Sequence, residues 1–181
     1  GQAGLAAGYH LRRQGLDFVI LDADAAPGGS WQHMWDSLHL FSPAQYSSLP
    51  GRLTPAQGGE TYPGAGHVVD YLTDYEKCYD LPVQHATRVD AVRRDADRLL
   101  VETDSATWRA RAVISATGTW SRPFLPAVPG RSTFTGRSTF TGRQLHTVNY
   151  RSPADFAGQR VVVVGGGNSG AQIAADLAHD T

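Results

Sequence analysis

The stretch VVVVGGGNSGAQIAADLA, running from Val161 to Ala178, decides the fold. Its four β-branched valines predict a buried strand, and Gly165-Gly166-Gly167-Asn168-Ser169-Gly170 predicts a tight turn. The apolar positions Ala171, Ile173, Ala174 and Leu177 then continue as a helix. Strand, GxGxxG and helix in that order are what a dinucleotide-binding unit requires. Gly165 permits the turn, Gly167 lets a pyrophosphate approach the backbone, and Gly170 lets the helix pack closely on the strand. The helix N-terminus adds the partial positive charge that attracts phosphate. A glycine turn with no ligand is the competing reading. The next strand, whose residues would separate NAD from NADP, does not fall within the sequence.

The first residues read as a second turn of this kind. Gly1-Gln2-Ala3-Gly4 matches the last four positions of a GxGxxG, with Gly1 and Gly4 as its second and third glycines. Leu5, Ala6, Ala7 and Leu11 keep a helical period, and Gly15 stands where a capping glycine ends a helix, so a helix is predicted to finish near Arg13 or Gln14. Phe18-Val19-Ile20-Leu21 has the length and content of a buried parallel strand. Asp22 follows it, at the position from which a carboxylate hydrogen-bonds a ribose hydroxyl. Asp24 lies past the strand end and fits less well, and either residue also reads as a solvated turn aspartate.

Between these two turns, residues 23–66 are rich in proline and glycine and predict mostly irregular backbone. Trp31, Trp35, Phe41, Tyr46 and Tyr62 have apolar area to bury, which favours an ordered, cofactor-covering segment over disorder. Val68, Val69, Leu72 and Tyr75 predict an amphipathic helix over 67–79, stopped by Pro82. Strand-like runs around 89–92, 99–103 and 107–111 predict a small antiparallel meander, returning to a buried strand at Val113-Ile114-Ser115. Residues 131–136 and 137–142 repeat the hexapeptide RSTFTG, which is too short for a solenoid and reads as a local loop duplication. The expected class is α/β, a Rossmann-like three-layer fold with a parallel sheet and an antiparallel meander.

Composition narrows the function. The 181 residues are 41% hydrophobic and carry 16 Lys plus Arg against 17 Asp plus Glu, which leaves no electrostatic footprint for nucleic acid. The single cysteine, Cys78, forms neither an internal disulfide nor a dithiol redox pair nor a cysteine-based zinc site. No run approaches the ~18 apolar residues of a membrane span, and no signal peptide is visible, so the default is a cytoplasmic protein without a membrane partner. With a glycine turn at each end, the sequence reads as truncated on both sides. Two dinucleotide sites suggest one cofactor that stays and one that visits, the arrangement for moving a hydride from nicotinamide to flavin.

A family resemblance sharpens this. Gly28-Gly29-Ser30-Trp31, the run Leu38-His39-Leu40-Phe41-Ser42-Pro43, Ala116-Thr117-Gly118, the spaced prolines Pro123, Pro126 and Pro129, and Gly167-Asn168-Ser169-Gly170 together resemble class B flavoprotein monooxygenases over essentially the whole chain. The signature FxGxxxHxxx(Y/F) of that family is matched by Phe140, Gly142, His146 and Tyr150, using only the second copy of the repeat. Within the family the sequence looks nearest to bacterial monooxygenases found beside arsenic-resistance functions and to short auxin-forming enzymes. Tyr150 is similar to the heteroatom-oxygenating branch, since the Baeyer-Villiger branch would carry Trp there.

The resemblance implies an FAD domain interrupted by an NADPH domain, with residues 1–157 the first part of the FAD domain plus linker, and 158–181 the opening strand and helix of the NADPH domain. Gly1, Gly4, Asp22, Gly29, Ser30 and Trp31 would contact FAD, Ala116-Thr117-Gly118 would pass its pyrophosphate, and His39 and Gln45 are polar candidates for a flavin contact. Gly165, Gly167, Asn168, Ser169, Gly170 and Gln172 would face NADPH, and His146 at the domain linker would couple NADPH to flavin. It further implies that a C4a-peroxyflavin formed with O2 oxygenates a soft nucleophile in a small-molecule substrate; a homo-oligomer is compatible with this. Many relatives carry Asn near position 41, where this sequence has Phe41. Phe41 keeps an NAD(P)H-dependent flavin reductase or oxidase open as an alternative, and an inactive truncated fragment is another. No serine, histidine and acid constellation and no metal-ligand set competes with the flavin reading. Fold and family do not fix the substrate.

Overall fold

The computed structural model of the chain describes residues 1–125 and 140–180. The expectations placed on Pro126, Pro129 and most of the RSTFTG duplication lie outside the described residues. The chain divides into two compact units, Gly1–Thr117 and Gly118–Thr181.

In the first unit, helix α1 spans Gln2–Arg13 and ends at Gln14 and Gly15, as the capping glycine predicted. His10, Arg12 and Arg13 place positive charge in its last turn, where the helix dipole favours cations. Arg12 also bonds the carbonyl of Asp80 and lies 3.3 Å from its carboxylate. Strand β1 is shorter than expected, Ile20–Leu21 rather than the whole of Phe18–Leu21. Helix α2 spans Ala65–Cys78 and buries Val68, Tyr71, Leu72 and Tyr75, the i, i+3, i+4, i+7 stripe of an amphipathic helix. Strand β2, Val83–Gln84, pairs in parallel with β1, setting Ile20 opposite Val83 and Leu21 opposite Gln84. The meander follows as predicted: β3 (Val89–Asp95), β4 (Arg98–Thr103) and β5 (Thr107–Ala110), antiparallel in that order. The chain is therefore α/β, with a parallel and an antiparallel sheet.

The core of this unit joins Leu5 of α1 to Val68, Tyr71, Leu72 and Tyr75 of α2 and to Leu81, with Phe18, Ile20 and Val83 packed against it. Leu72 and Tyr75 are fully buried, and a large apolar side chain removed from water contributes about 1.5–3 kcal/mol. Gly8 lets α1 come this close, because a methyl group there would lie 2.8 Å from Ile20 Cδ1. Residues 23–66 are largely irregular, with short 3₁₀ turns at Gly29–His33 and Ala44–Tyr46. Two tyrosines of α2 pin this segment. The Tyr75 hydroxyl donates to the Pro50 carbonyl at 2.6 Å, and that of Tyr71 donates to Arg52 O and accepts from Leu49 N, both at 2.7 Å. The aromatics of the segment divide: Trp35 is buried and Trp31 packs on the core, while Tyr46, Tyr62 and Phe41, the last 72% exposed, do not bury as expected.

The second unit carries 3₁₀ turns at Thr147–Asn149 and Pro153–Phe156, then helix α3, Asn168–Asp180. Tyr150, Phe156, Ile173 and Leu177 form its buried residues, with the Tyr150 and Phe156 rings stacked at 5.9 Å. Two expected strands are corrected. Val113-Ile114-Ser115 and Val161–Val164 have no assigned strand, and Ile114, Val162 and Val164 are 61%, 85% and 89% exposed. A strand requires a hydrogen-bonded neighbour, and none pairs with either run among the described residues.

Candidate functional site

The start of α1 is built like an anion site. Gly1 caps the helix and brings no side chain to its first amides, and no acidic residue stands in the first turn. Gly4 faces Ala116 and Ile20, where a methyl group would make ordinary contact at 3.8 Å from Ala116 Cβ and 4.0 Å from Ile20 Cγ2. The Gly28–Gly29 corner closes over the same place. Gly29 has φ of 56°, and a methyl group on it would stand 2.7 Å from Gly1 Cα, so only glycine fits on both conformational and steric grounds. Trp31 ties the following turn to α1 through its indole N–H, which donates to Gln2 Oε1 at 3.2 Å. Ser30 is half-buried between them in sequence, on the same 3₁₀ turn.

Asp22 immediately follows β1, and its amide continues the ladder to Gln84 O at 3.0 Å. Its Oδ1 accepts from Asp24 N at 3.2 Å, and its Oδ2 lies 3.9 Å from the Gly1 nitrogen and 3.8 Å from His85 Nδ1. The carboxylate therefore stands beside the glycine turn. Asp24 is directed elsewhere, to His33 Nε2 at 3.0 Å. Gly1, Gly4, Asp22, Gly29, Trp31 and Ala116 are thus gathered in one region of the first unit. Thr117 is exposed at its boundary, and Gly118 opens the second unit.

His39 and Gln45 lie elsewhere on the irregular segment. His39 bonds the Tyr62 carbonyl through Nδ1 at 2.8 Å and bridges Gly64, which gives the ring a structural anchor. Gln45 is exposed on the Ala44–Tyr46 turn. Two open grooves of about 300 and 550 Å³ are lined by Arg12, Leu16 and Phe18, and by Trp31, Trp35, Val69 and Asp70. Neither includes Gly1, Gly4 or Asp22.

In the second unit, the turn Gly165–Gly170 leads into α3. A methyl group on Gly170 would stand 2.8 Å from the Gly165 carbonyl oxygen and 3.8 Å from Val163 Cγ1, the close helix approach expected of a third glycine. Gly167 has open space where a side chain would be, and its carbonyl accepts from Ala171 N at 3.1 Å. Asn168 and Ser169 are exposed at the start of α3, and Gln172 is half-buried. Among the signature residues, His146 caps the Thr147–Asn149 turn, Nδ1 accepting from Val148 N at 3.3 Å, and Tyr150 is buried. The Arg143 guanidinium lies 5.2 Å over the Phe156 ring.

Sequence reasoning missed His85, which stands beside Asp22, and Glu76, which holds the far side of the His85 ring. Strand β2, which positions His85, is two residues long and carries no alternation to read.

A helix opening on a bare glycine turn beside a strand-end carboxylate defines an α/β dinucleotide-binding fold. The chain belongs to the family described as pyridine nucleotide-disulphide oxidoreductase, which it matches over residues 1–181. It is 52% identical to the flavin-containing monooxygenase from Stenotrophomonas maltophilia, with a TM-score of 0.92 over 99% of this chain and 52% of that one. It is 35% identical over 181 residues to the uncharacterized oxidoreductase CzcO of Bacillus subtilis, covering 99% of this chain and 50% of that protein. It is 31% identical over 185 residues to indole-3-pyruvate monooxygenase YUCCA6 of Arabidopsis thaliana, covering 98% and 43%. The relatives bear out the resemblance to flavoprotein monooxygenases, and the chain spans about half the length of those it matches. Among the described residues, no helix is long and apolar enough to cross a membrane, and no three or more His, Cys, Asp or Glu side chains are grouped so as to hold a metal ion.

Proposed function

We propose that the protein is an FAD-dependent, NADPH-consuming monooxygenase acting on a nitrogen, sulfur or similar soft nucleophile of a small molecule. The observation that carries this reading is the 52% identity to a flavin-containing monooxygenase across 99% of the chain, including both glycine turns. The family description includes disulphide chemistry, but the single Cys78 supplies no dithiol in this sequence.

The residues fit FAD at the α1 turn. Gly1, Gly4 and Gly29 leave a backbone surface with free amides for a pyrophosphate, and Asp22 offers a carboxylate oxygen to a ribose hydroxyl. Ser30, Trp31, His39, Gln45 and Ala116-Thr117-Gly118 are assigned to the same cofactor. Gly165, Gly167, Asn168, Ser169, Gly170 and Gln172 are assigned to NADPH, with 1–157 contributing to the FAD domain and 158–181 to the NADPH domain. FAD supplies hydride acceptance from NADPH and activation of O2. The protein binds both nucleotides, sets the nicotinamide against the flavin and excludes water. His146 acts at the linker, coupling the two. Tyr150 at the end of the signature supports the heteroatom branch. In net terms, substrate, O2, NADPH and a proton yield oxygenated substrate, water and NADP⁺.

The test is a product balance during NADPH oxidation with a sulfide and a tertiary amine as probes. Sulfoxide or N-oxide formed in proportion to NADPH consumed supports the monooxygenase. Hydrogen peroxide in that proportion, with neither product, rejects it in favour of the reductase or oxidase alternative, which the exposed Phe41 keeps open.

A further inference from the structure

Asp22 and His85 are each the first residue beyond a pair of parallel strands whose register sets Leu21 against Gln84. That register brings the two side chains abreast, with Asp22 Oδ2 3.8 Å from His85 Nδ1. The ring is fixed from its far side by Glu76 of α2, whose Oε1 lies 3.0 Å from Nε2. The three side chains are shielded, Asp22 and His85 at 19% and 21% exposure and Glu76 at 16%. Asp22 Oδ1 is occupied by the Asp24 amide, so Oδ2 is the oxygen presented to the glycine turn. His85 Nδ1 is a buried polar atom without a hydrogen-bond partner, a state that needs an explanation.

We propose that His85, held by Glu76, is a positioning residue that sets the Asp22 carboxylate to receive the ribose of a bound dinucleotide. The proposal rests on the ribose role given to Asp22 above. With Nε2 tethered to Glu76, the ring cannot swing away, and Nδ1 limits rotation of the carboxylate about its last torsion. A carboxylate so restrained loses less freedom when it accepts the hydroxyl, which is where preorganised sites gain affinity.

The experiment titrates the flavin-free full-length protein with FAD and with the FAD analogue lacking the adenosine 2′-hydroxyl, following flavin fluorescence. The wild type is expected to favour FAD by about tenfold, the worth of one hydrogen bond to a charged group. His85→Phe is expected to bring the ratio close to one, as is the control Asp22→Asn, with Glu76→Met, which removes the tether, between. If His85→Phe weakens both ligands by the same factor and keeps the ratio, the residue is only structural and the proposal is overturned. Should His85→Phe fail to fold, Glu76→Met, which keeps the length but has no oxygen to hold Nε2, decides in its place: a lowered ratio supports the proposal and an unchanged ratio overturns it. If Asp22→Asn keeps the ratio, the ribose role of Asp22 falls, and this proposal with it.

Discussion

Gly29 and Gly1 stand back to back, so close that a methyl group on Gly29 would lie 2.7 Å from Gly1 Cα and 3.1 Å from its nitrogen. The Gly28–Gly29 corner is thereby locked to the first turn of α1. Gly29→Ala has to carry a side chain at φ of 56°, costing about 1–2 kcal/mol, and must also push the glycine turn aside. FAD affinity is expected to fall by at least about tenfold, read as lost flavin in the purified protein. Gly58→Ala, where a methyl group meets nothing within 4 Å, is the control and retains flavin.

The second turn has its own test. In Gly170→Ala the new methyl group would meet a backbone carbonyl, which has no side-chain freedom with which to yield. The start of α3 must shift, and the dissociation constant for NADPH is expected to rise by about tenfold or more. Flavin content should stay at the wild-type level. Loss of both cofactors together would contradict the assignment of this turn to NADPH.

His146 caps a 3₁₀ turn and is also the candidate for coupling NADPH to flavin, and two substitutions separate these roles. Asn is a good cap, so His146→Asn retains the turn, whereas His146→Ala loses a contact worth about 1 kcal/mol. If coupling is the role, both variants slow flavin reduction by NADPH in stopped flow by about tenfold or more. If capping is the role, His146→Asn reduces its flavin at the wild-type rate.

Burial, aided by the neighbouring Tyr79 and Tyr71 phenols, raises the pKa of Tyr75 well above its ordinary value of about 10. A group raised in the folded state contributes stability that is fully present below the unfolded pKa. The ionisation of this tyrosine should therefore leave stability unchanged with pH below about pH 10 and lower it above, as the unfolded chain alone ionises. Tyr75→Phe also leaves the Pro50 carbonyl without its donor, a loss of about 1–3 kcal/mol at neutral pH. Denaturant melts at pH 7.5 and 10.5 check both effects, and the variant is expected to lose less stability between them.

Much of the fold is legible in the sequence because its signals are local. The stripe of Val68, Leu72 and Tyr75 announces α2, Gly15 announces the end of α1, and polar turns separate the meander strands. Counting along a helix and a strand puts Asp22 beside the glycine turn, and that is where it lies. Misreadings arise where the answer depends on a partner distant in sequence. Val161–Val164 and Val113–Ser115 have strand composition but no paired neighbour among the described residues, and composition alone does not encode pairing. His85 is invisible for the complementary reason: it matters because of the register between two strands of two residues each.

The valine run before the second glycine turn has a practical side. Val162 and Val164 are exposed at alternate positions of an uncharged and proline-free run, while Val163 faces α3. Segments of that composition with open backbone edges are templates for intermolecular strand addition. Left unpaired, a segment of this composition favours concentration-dependent association, and a charged residue in place of Val162 is the natural gatekeeper against it.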